Sequence, residues 1–371
     1  MNFLRIHLIF VVLLISGHII GQERKEIEIP DIPGYLTLKC DFHMHTVFSD
    51  GNVWPTIRVE EAYTEGLDAI AITDHLEYRP HSQDIPSDHN RAYEIAKPLA
   101  EQLGIILIRG GEITRKMPPG HLNAIFVKNV NLLERESWFE ACEEAKEQGA
   151  FIFWNHPGWK KQQPDRTLWW AEHTRLLEAG LLDGIEVVNQ YEYYPEALKW
   201  SKEKELTVMA NSDMHDPASV SYDLAESHRP VTLVFAKERS AQSIKEALLN
   251  KRTAAYYRDK IYGDRLFLAP LFLNSIEILS DLPRLENKMV KYVRVHNNSD
   301  VDFNLKQRTP PIGFTADASL TLKAHRTAVI QITGTSEEVK STQNLKLNYE
   351  VENLIVAPGE SLSIMLEIQN F

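Results

Sequence analysis

His43 and His45 are separated by one residue at the exit of an apolar run. Alternate side chains of a strand share a face, so the two imidazoles aim at one point. Asp50 follows in a polar turn closed by Gly51, from which its carboxylate can fold back to the same place. Such a set suits a metal ion, although an H-x-H pair alone is more often two satisfied or exposed histidines. The pattern recurs downstream. Residues 70–72 lead into Thr73-Asp74-His75, residues 105–109 lead through Gly110 and Gly111 to Glu112, and His121 enters a strand behind Gly120. Residues 150–154 end in Asn155-His156-Pro157, and residues 206–210 end in Asp213-Met214-His215.

The elements that must position these residues are short apolar runs, as in a parallel sheet covered on both faces, most of them followed by a helical pattern. Helices are expected at 138–148, 167–179 and 195–203, the last opening on Pro195. Parallel strands closing into a barrel bring their C-terminal ends to one rim, where ligands distant in sequence meet. Six of the 14 histidines, with Asp50, Glu112 and Asp213, would form one cluster there.

This ordered series resembles the PHP family, the polymerase and histidinol phosphatase metal-dependent phosphoesterases. The motifs that carry the resemblance are His43-x-His45 with Ser49-Asp50-Gly51, Thr73-Asp74-His75, Gly111-Glu112, Gly120-His121, Asn155-His156-Pro157 and Asp213-x-His215, within about residues 39 to 262. The resemblance implies a distorted (β/α)7 barrel with three divalent metal ions on its rim. It assigns His43, His45, Glu112 and Asp213 to the first ion. Glu112 is then shared with a second held by His121 and His156, and Asp50, His75 and His215 hold the third. It also makes Glu112 and Asp213 the catalytic carboxylates around a metal-bridging hydroxide.

Ligand chemistry agrees with several ions, since nine imidazole and carboxylate donors exceed what one four-coordinate ion needs. Without a thiolate, manganese, zinc or iron fits the donor set. Two ions about 3.5–4 Å apart would bring a bridging water's pKa toward ~7 and offset charge on a phosphoryl group in flight. Phosphate oxygens also favour cationic donors. Arg79, Arg115 and Lys116 lie just beyond His75 and Glu112, with Arg229 and Arg258 as further candidates, and for each a solvated surface charge is an equal reading. Asp213 or the third ion would assist the leaving group. Trp154, Trp159, Trp169 and Trp170, with Tyr191, Tyr193 and Tyr194, are read chiefly as core and secondarily as a substrate wall. His173 reads as a helix-surface residue, and Cys40 and Cys142 as buried free thiols.

With 371 residues, 43% of them hydrophobic, the chain is long enough for a barrel at 39–263 behind a lead-in at 22–38, and for a second unit at 264–371. The second unit reads as a small β-sandwich of immunoglobulin type, with strand-like runs at 267–279, 290–296, 319–333, 345–351 and 361–369. Residues 1–21, with Arg5 before the apolar run 8–15, read as a secretory signal peptide. The mature chain is therefore expected to be periplasmic or secreted, with no stable membrane span. A formal charge of −12 disfavours a polynucleotide partner.

The resulting expectation is an exported, multinuclear phosphoesterase acting on small organophosphate mono- or diesters. Two alternatives stand beside it. One is a non-catalytic, metal-dependent protein that binds a phosphorylated or glycan ligand, and the other is a metal-dependent amide or ester hydrolase on the same barrel.

Overall fold

The computed structural model describes residues 23–225, 227–279, 288–336 and 345–368. The proposed signal peptide lies outside these residues. Among the described residues no helix is long and apolar enough to cross a membrane.

The front half is a mixed sheet flanked by helices. Strand β1 (Leu36–Asp41) pairs in parallel with β2 (Ala69–Ile72), which pairs in parallel with β3 (Ile106–Ile113). Then β4 (Leu122–Ile125) runs antiparallel to both β3 and β5 (Phe151–Trp154). Parallel pairing resumes from β5 to β6 (Gly184–Asn189). The short β7 (Glu192–Tyr193) forms a hairpin with β6, and β8 (Thr207–Asn211) pairs with β6 in parallel. On its other side β1 lies antiparallel to β9 (Val231–Ala236), followed by β10 (Thr253–Tyr257) and β11 (Lys260–Gly263). Strands β2, β5, β6 and β9 are buried along their whole length, which explains their near-continuous apolar sequences. The interposed helices include α1 (Pro55–Thr64), α2 (Arg91–Leu103), α3 (Trp138–Glu147), α4 (Ala171–Glu178) and α5 (Pro195–Glu203).

The expected (β/α)7 barrel is therefore met in part. Between β3 and β4 only residues 114–121 intervene, too few for a crossover, so the chain turns back antiparallel. Among the described residues the backbone ladder does not close, because β8 pairs with β6 and not with β9. Side chains bridge that seam. The Thr232 hydroxyl donates to the Ala210 carbonyl at 2.8 Å and accepts from the Ala210 amide at 2.9 Å. The Phe42 amide donates to Asn211 Oδ1 at 2.9 Å, and the Ser212 hydroxyl donates to Asp41 at 2.5 Å.

Beyond β11 the expected strand at 267–279 is corrected. Arg265–Ser275 is helix α8, the last among the described residues after α6 (Ala218–Ser221) and α7 (Ala241–Leu249), and of the expected run only β12 (Ile276–Ile278) is strand. The Asp264 carboxylate caps the helix by accepting from the Leu266 amide at 2.8 Å. Then come β13 (Val290–Asn297), β14 (Phe303–Thr309), β15 (Phe314–Ala316), β16 (Ser319–Leu322), β17 (Thr327–Gly334), β18 (Leu345–Ala357) and β19 (Glu360–Ile368). The expected run 319–333 is thus two strands, broken at His325 with φ 54°. One sheet orders β12-β13-β17-β15, while β16-β14-β18 with β19 joins the front sheet, because β18 pairs in parallel with β11. Asn353 ties this junction by donating to the carbonyls of Asp259 at 2.6 Å and Asp302 at 2.7 Å.

Candidate metal centre

Two loops, one after β1 and one after β8, are zipped together by backbone. The Asp213 amide donates to the His43 carbonyl at 2.8 Å, and the His45 amide donates to the Met214 carbonyl at 2.9 Å. Wholly buried Arg58 of α1 clamps the same loops, donating to the carbonyls of His45 at 2.9 Å, Met214 at 3.0 Å and Asp216 at 2.9 Å. Asp74 fixes the segment leading to Asp50, accepting from the Thr46 amide, the Thr46 hydroxyl and the Ser49 hydroxyl, each at 2.7 Å. Gly51 is required there, because a Cβ would sit 2.6 Å from the His45 carbonyl carbon. Glu112 is held beside His75 by its amide, which donates to the Asp74 carbonyl at 3.1 Å.

This scaffold brings the nine side chains singled out from sequence to one end of the sheet. Three overlapping sets have ligand atoms within 4.8 Å of one another: His45, Asp50, His75 and His215; His43, His45 and Glu112; and His75, Glu112 and His121. Asp213 Oδ1 lies 3.1 Å from His45 Nε2 and 3.2 Å from His43 Nε2. The His156 ring completes the row, centred 4.9 Å from that of His121 and 6.0 Å from that of His43. His156 at φ 29° and Asp213 at φ 50° occupy the left-handed region, which costs a non-glycine residue conformational energy and is held here by the surrounding loops.

The donor set fits cations. Asp50 Oδ1, Glu112 Oε1 and His121 Nδ1 are buried and make no hydrogen bond to the described residues. Yet Glu112 Oε1 is 2.5 Å from His121 Nδ1, and Asp50 Oδ1 is 3.2 Å from His215 Nε2. Atoms this close without hydrogen-bond direction point their lone pairs at shared positions, as ligands do. Within the cluster the carboxylates and several imidazoles hold one another charged, so an ion binding at His75 would displace its proton. Burial opposes the charge of Asp213, but neighbouring His43, His45 and His215 outweigh it and hold the carboxyl well below its usual range. Glu112 is held low against burial by His75 and His121. Burial also works against a charged His75, yet Glu112 and Asp50 raise it to about 10. His156 is pushed down to about 3 by burial and by His121, so its imidazole is neutral with a free lone pair. A carboxylate held low stays charged and can ligate a cation.

One functional residue escaped the sequence reading. Glu186, on β6 and fully buried, accepts from His43 Nδ1 at 2.9 Å, leaving His43 Nε2 for the cluster. It also accepts from the His156 amide at 2.7 Å, Asn189 Nδ2 at 2.8 Å and Asn211 Nδ2 at 2.9 Å. A carboxylate behind a ligating imidazole fixes its tautomer and raises its basicity.

The cluster floors a cavity of about 840 Å³ bordered by Tyr78, Trp159, Lys161, Gln162, Gln190, Tyr191 and Tyr194. The expected phosphate cations are not on this lining. Arg79 pairs with Glu134 at 3.5 Å and donates to the Ser87 carbonyl at 3.1 Å. Arg115 pairs with Glu77 and donates to the Arg135 carbonyl at 2.7 Å, and Lys116 is not among the lining side chains. Arg229 is buried against Glu65 and Asp41, and Arg258 lines a separate cavity of about 660 Å³ below the N-terminal segment. Lys161 takes their place as the one Lys or Arg on the described lining.

The aromatic group splits between the two readings. Trp159, Tyr191 and Tyr194 face the cavity, whereas Trp154 stacks on Trp200 at 5.7 Å in the core behind it. His173 is corrected from surface to core: it is fully buried, stacked on Trp154 at 3.6 Å. Both cysteines are buried and free.

Comparison with known proteins bears on this site. The chain is 47% identical to a two-domain protein of Bacteroides vulgatus that contains a predicted PHP-like metal-dependent phosphoesterase, with a TM-score of 0.89 over 94% of this chain and 100% of that one. An uncharacterised protein of Methanocaldococcus jannaschii is 28% identical over 197 residues, 50% of this chain and 85% of its own length. The 5'-3' exoribonuclease of Haemophilus influenzae is 34% identical over 79 residues, 21% of this chain and 24% of that enzyme. An Ig-like domain family matches residues 276–367.

Proposed function

Because the chain belongs to the PHP-like metal-dependent phosphoesterases, we propose that it is an exported enzyme hydrolysing small organophosphate mono- or diesters at a multinuclear centre. His43, His45, Glu112 and Asp213 hold one divalent ion in this reading. Glu112 is shared with a second at His121 and His156, and Asp50, His75 and His215 hold a third. Bound ions, whether manganese, zinc or iron, would supply a nucleophile from water at neutral pH and offset phosphoryl charge. The protein's own work is positional. Glu186 aims His43, Asp74 and Arg58 fix the loops bearing Asp50 and Asp213, and Gln190 Nε2 donates to the Asp213 carbonyl at 3.2 Å.

The observation that carries the reading is that Glu112 Oε1 and His121 Nδ1 in one ligand set, and Asp50 Oδ1 in the adjoining set that shares His75, are buried without hydrogen bonds. The test is elemental analysis of the purified protein followed by assays on a chromogenic phosphate monoester and diester. More than one equivalent of divalent metal and turnover of at least one ester are expected, with Glu112→Gln losing metal and at least a hundredfold in kcat. Full turnover in a Glu112→Gln protein that keeps its metals would refute the shared-ligand role. Bound metal with ester or amide cleavage alone, or with no turnover, would instead favour the amide or ester hydrolase or the binding protein. The polynucleotide substrate of the Haemophilus relative is not carried over, given a charge of −12 and a single lysine on the described cavity lining. Export is tested by sequencing the N-terminus of protein recovered outside the cytoplasm, where cleavage near residue 21 is expected.

A further inference from the structure

Trp159 stands on the turn that presents His156. Its amide donates to the His156 carbonyl at 3.0 Å, and its own carbonyl accepts from the amides of Gln162 at 3.0 Å and Gln163 at 2.8 Å. These bonds fix the turn, and the indole lies beside the donor cluster, its ring centred 5.1 Å from His156 and 5.7 Å from His121. It is only half-buried and lines the cavity together with Tyr78 and Tyr191, 54% and 51% exposed. Large aromatic rings are costly to leave in water, and three that stay exposed or half-exposed around one cavity, beside buried Tyr194, mark a surface that an apolar, flat group covers.

Two further observations narrow the ligand. A cavity of about 840 Å³ is of the size that takes a drug-sized molecule rather than a bare phosphate. No guanidinium lies on the described lining, and its one Lys or Arg, Lys161, has Nζ 5.3 Å from the Trp159 ring centre. Phosphate contacts from side chains are thus sparse, and selectivity beyond the ions falls to the organic arm. We infer that the ester this centre accepts carries a planar ring on that arm, which stacks on the Trp159 indole within reach of Lys161. The inference rests on the phosphoesterase reading above and adds the chemical class of the substrate.

Non-hydrolysable phosphonates test it by binding alone. Calorimetric titration of the manganese-loaded full chain would compare methylphosphonate, cyclohexylphosphonate and phenylphosphonate. Stacking of a ring on an aromatic side chain typically strengthens binding about tenfold or more. Phenylphosphonate is expected to bind about tenfold tighter than methylphosphonate and several-fold tighter than the non-planar cyclohexyl compound. In Trp159→Ala the phenyl-to-methyl ratio should fall to within about twofold of unity, and in Trp159→Phe most of it should survive. An equal affinity for phenyl- and methylphosphonate, an equal affinity for the cyclohexyl compound, or an unchanged ratio in Trp159→Ala overturns the inference while leaving the phosphoesterase reading intact. Absence of methylphosphonate binding together with absence of any ester turnover overturns both.

Discussion

The Glu186 carboxylate receives four hydrogen bonds, one of them from His43 Nδ1, so a glutamine of the same shape must turn an amide group toward at least one of these donors. Loss of such an outer partner typically weakens metal binding by 10–100-fold. Glu186→Gln is accordingly expected to keep its far-UV circular dichroism and to lose about that factor in a chelator-competition titration. Wild-type affinity in this variant would show that Glu186 does not position His43. At this scale the sequence was informative about ligands and silent about their supports. Most of the nine candidate donors were legible because they sit at the boundary of an apolar run, where a polar residue is conspicuous, and Asp50 was legible from its polar turn closed by Gly51. Glu186 lies inside the run Gly184–Asn189, and its partner His43 is 143 positions away. Arg79 and Arg115 misled for the converse reason: closeness in sequence to His75 and Glu112 says nothing of the carboxylates Glu134 and Glu77 that hold them.

Helix α4 shows how a buried histidine ties an element's stability to pH. His173 Nδ1 accepts from the Trp170 amide at 3.1 Å and Nε2 donates to the Pro119 carbonyl at 2.7 Å, so the ring serves as acceptor and donor only while neutral. Burial pushes its pKa from 6.5 down to about 4. As pH falls from 6.5 toward 4 the unfolded chain takes up this proton first, so the contribution is complete above pH 6.5 and is lost across that window. A shift of this size corresponds to roughly 2–4 kcal/mol. In urea unfolding the stability gap between wild type and His173→Gln should narrow from pH 7.5 to pH 4.5, and a gap independent of pH would contradict the assignment. Strand and helix positions were largely readable, but not strand direction, which depends on connection length: residues 114–121 force β4 antiparallel. Helix α8 was misread as strand because a continuous apolar run lacks a period to distinguish the two.

For the molecule as a whole, the decisive contact is the parallel ladder of β11 with β18, Ile261 opposite Leu354 and Tyr262 opposite Ile355. Phe272 of α8 packs edge-to-face on Phe303 of β14 at 5.0 Å, so the apolar core also runs through the junction. A chain truncated after Gly263 would bare that core and one edge of β11. It is expected to be recovered aggregated or to melt at least about 10 °C below the full-length protein in calorimetry, and a soluble, monomeric fragment of unchanged Tm would disprove the dependence. The sequence signalled two units by the end of strand-helix alternation, yet the sharing of one sheet could not be read, since it pairs residues 93 positions apart with no local mark. That sharing has a consequence during synthesis. Until Leu354 and Ile355 have been made, the outer edge of β11 has no strand to pair with, so a partly completed chain that folds early exposes that edge to a second copy.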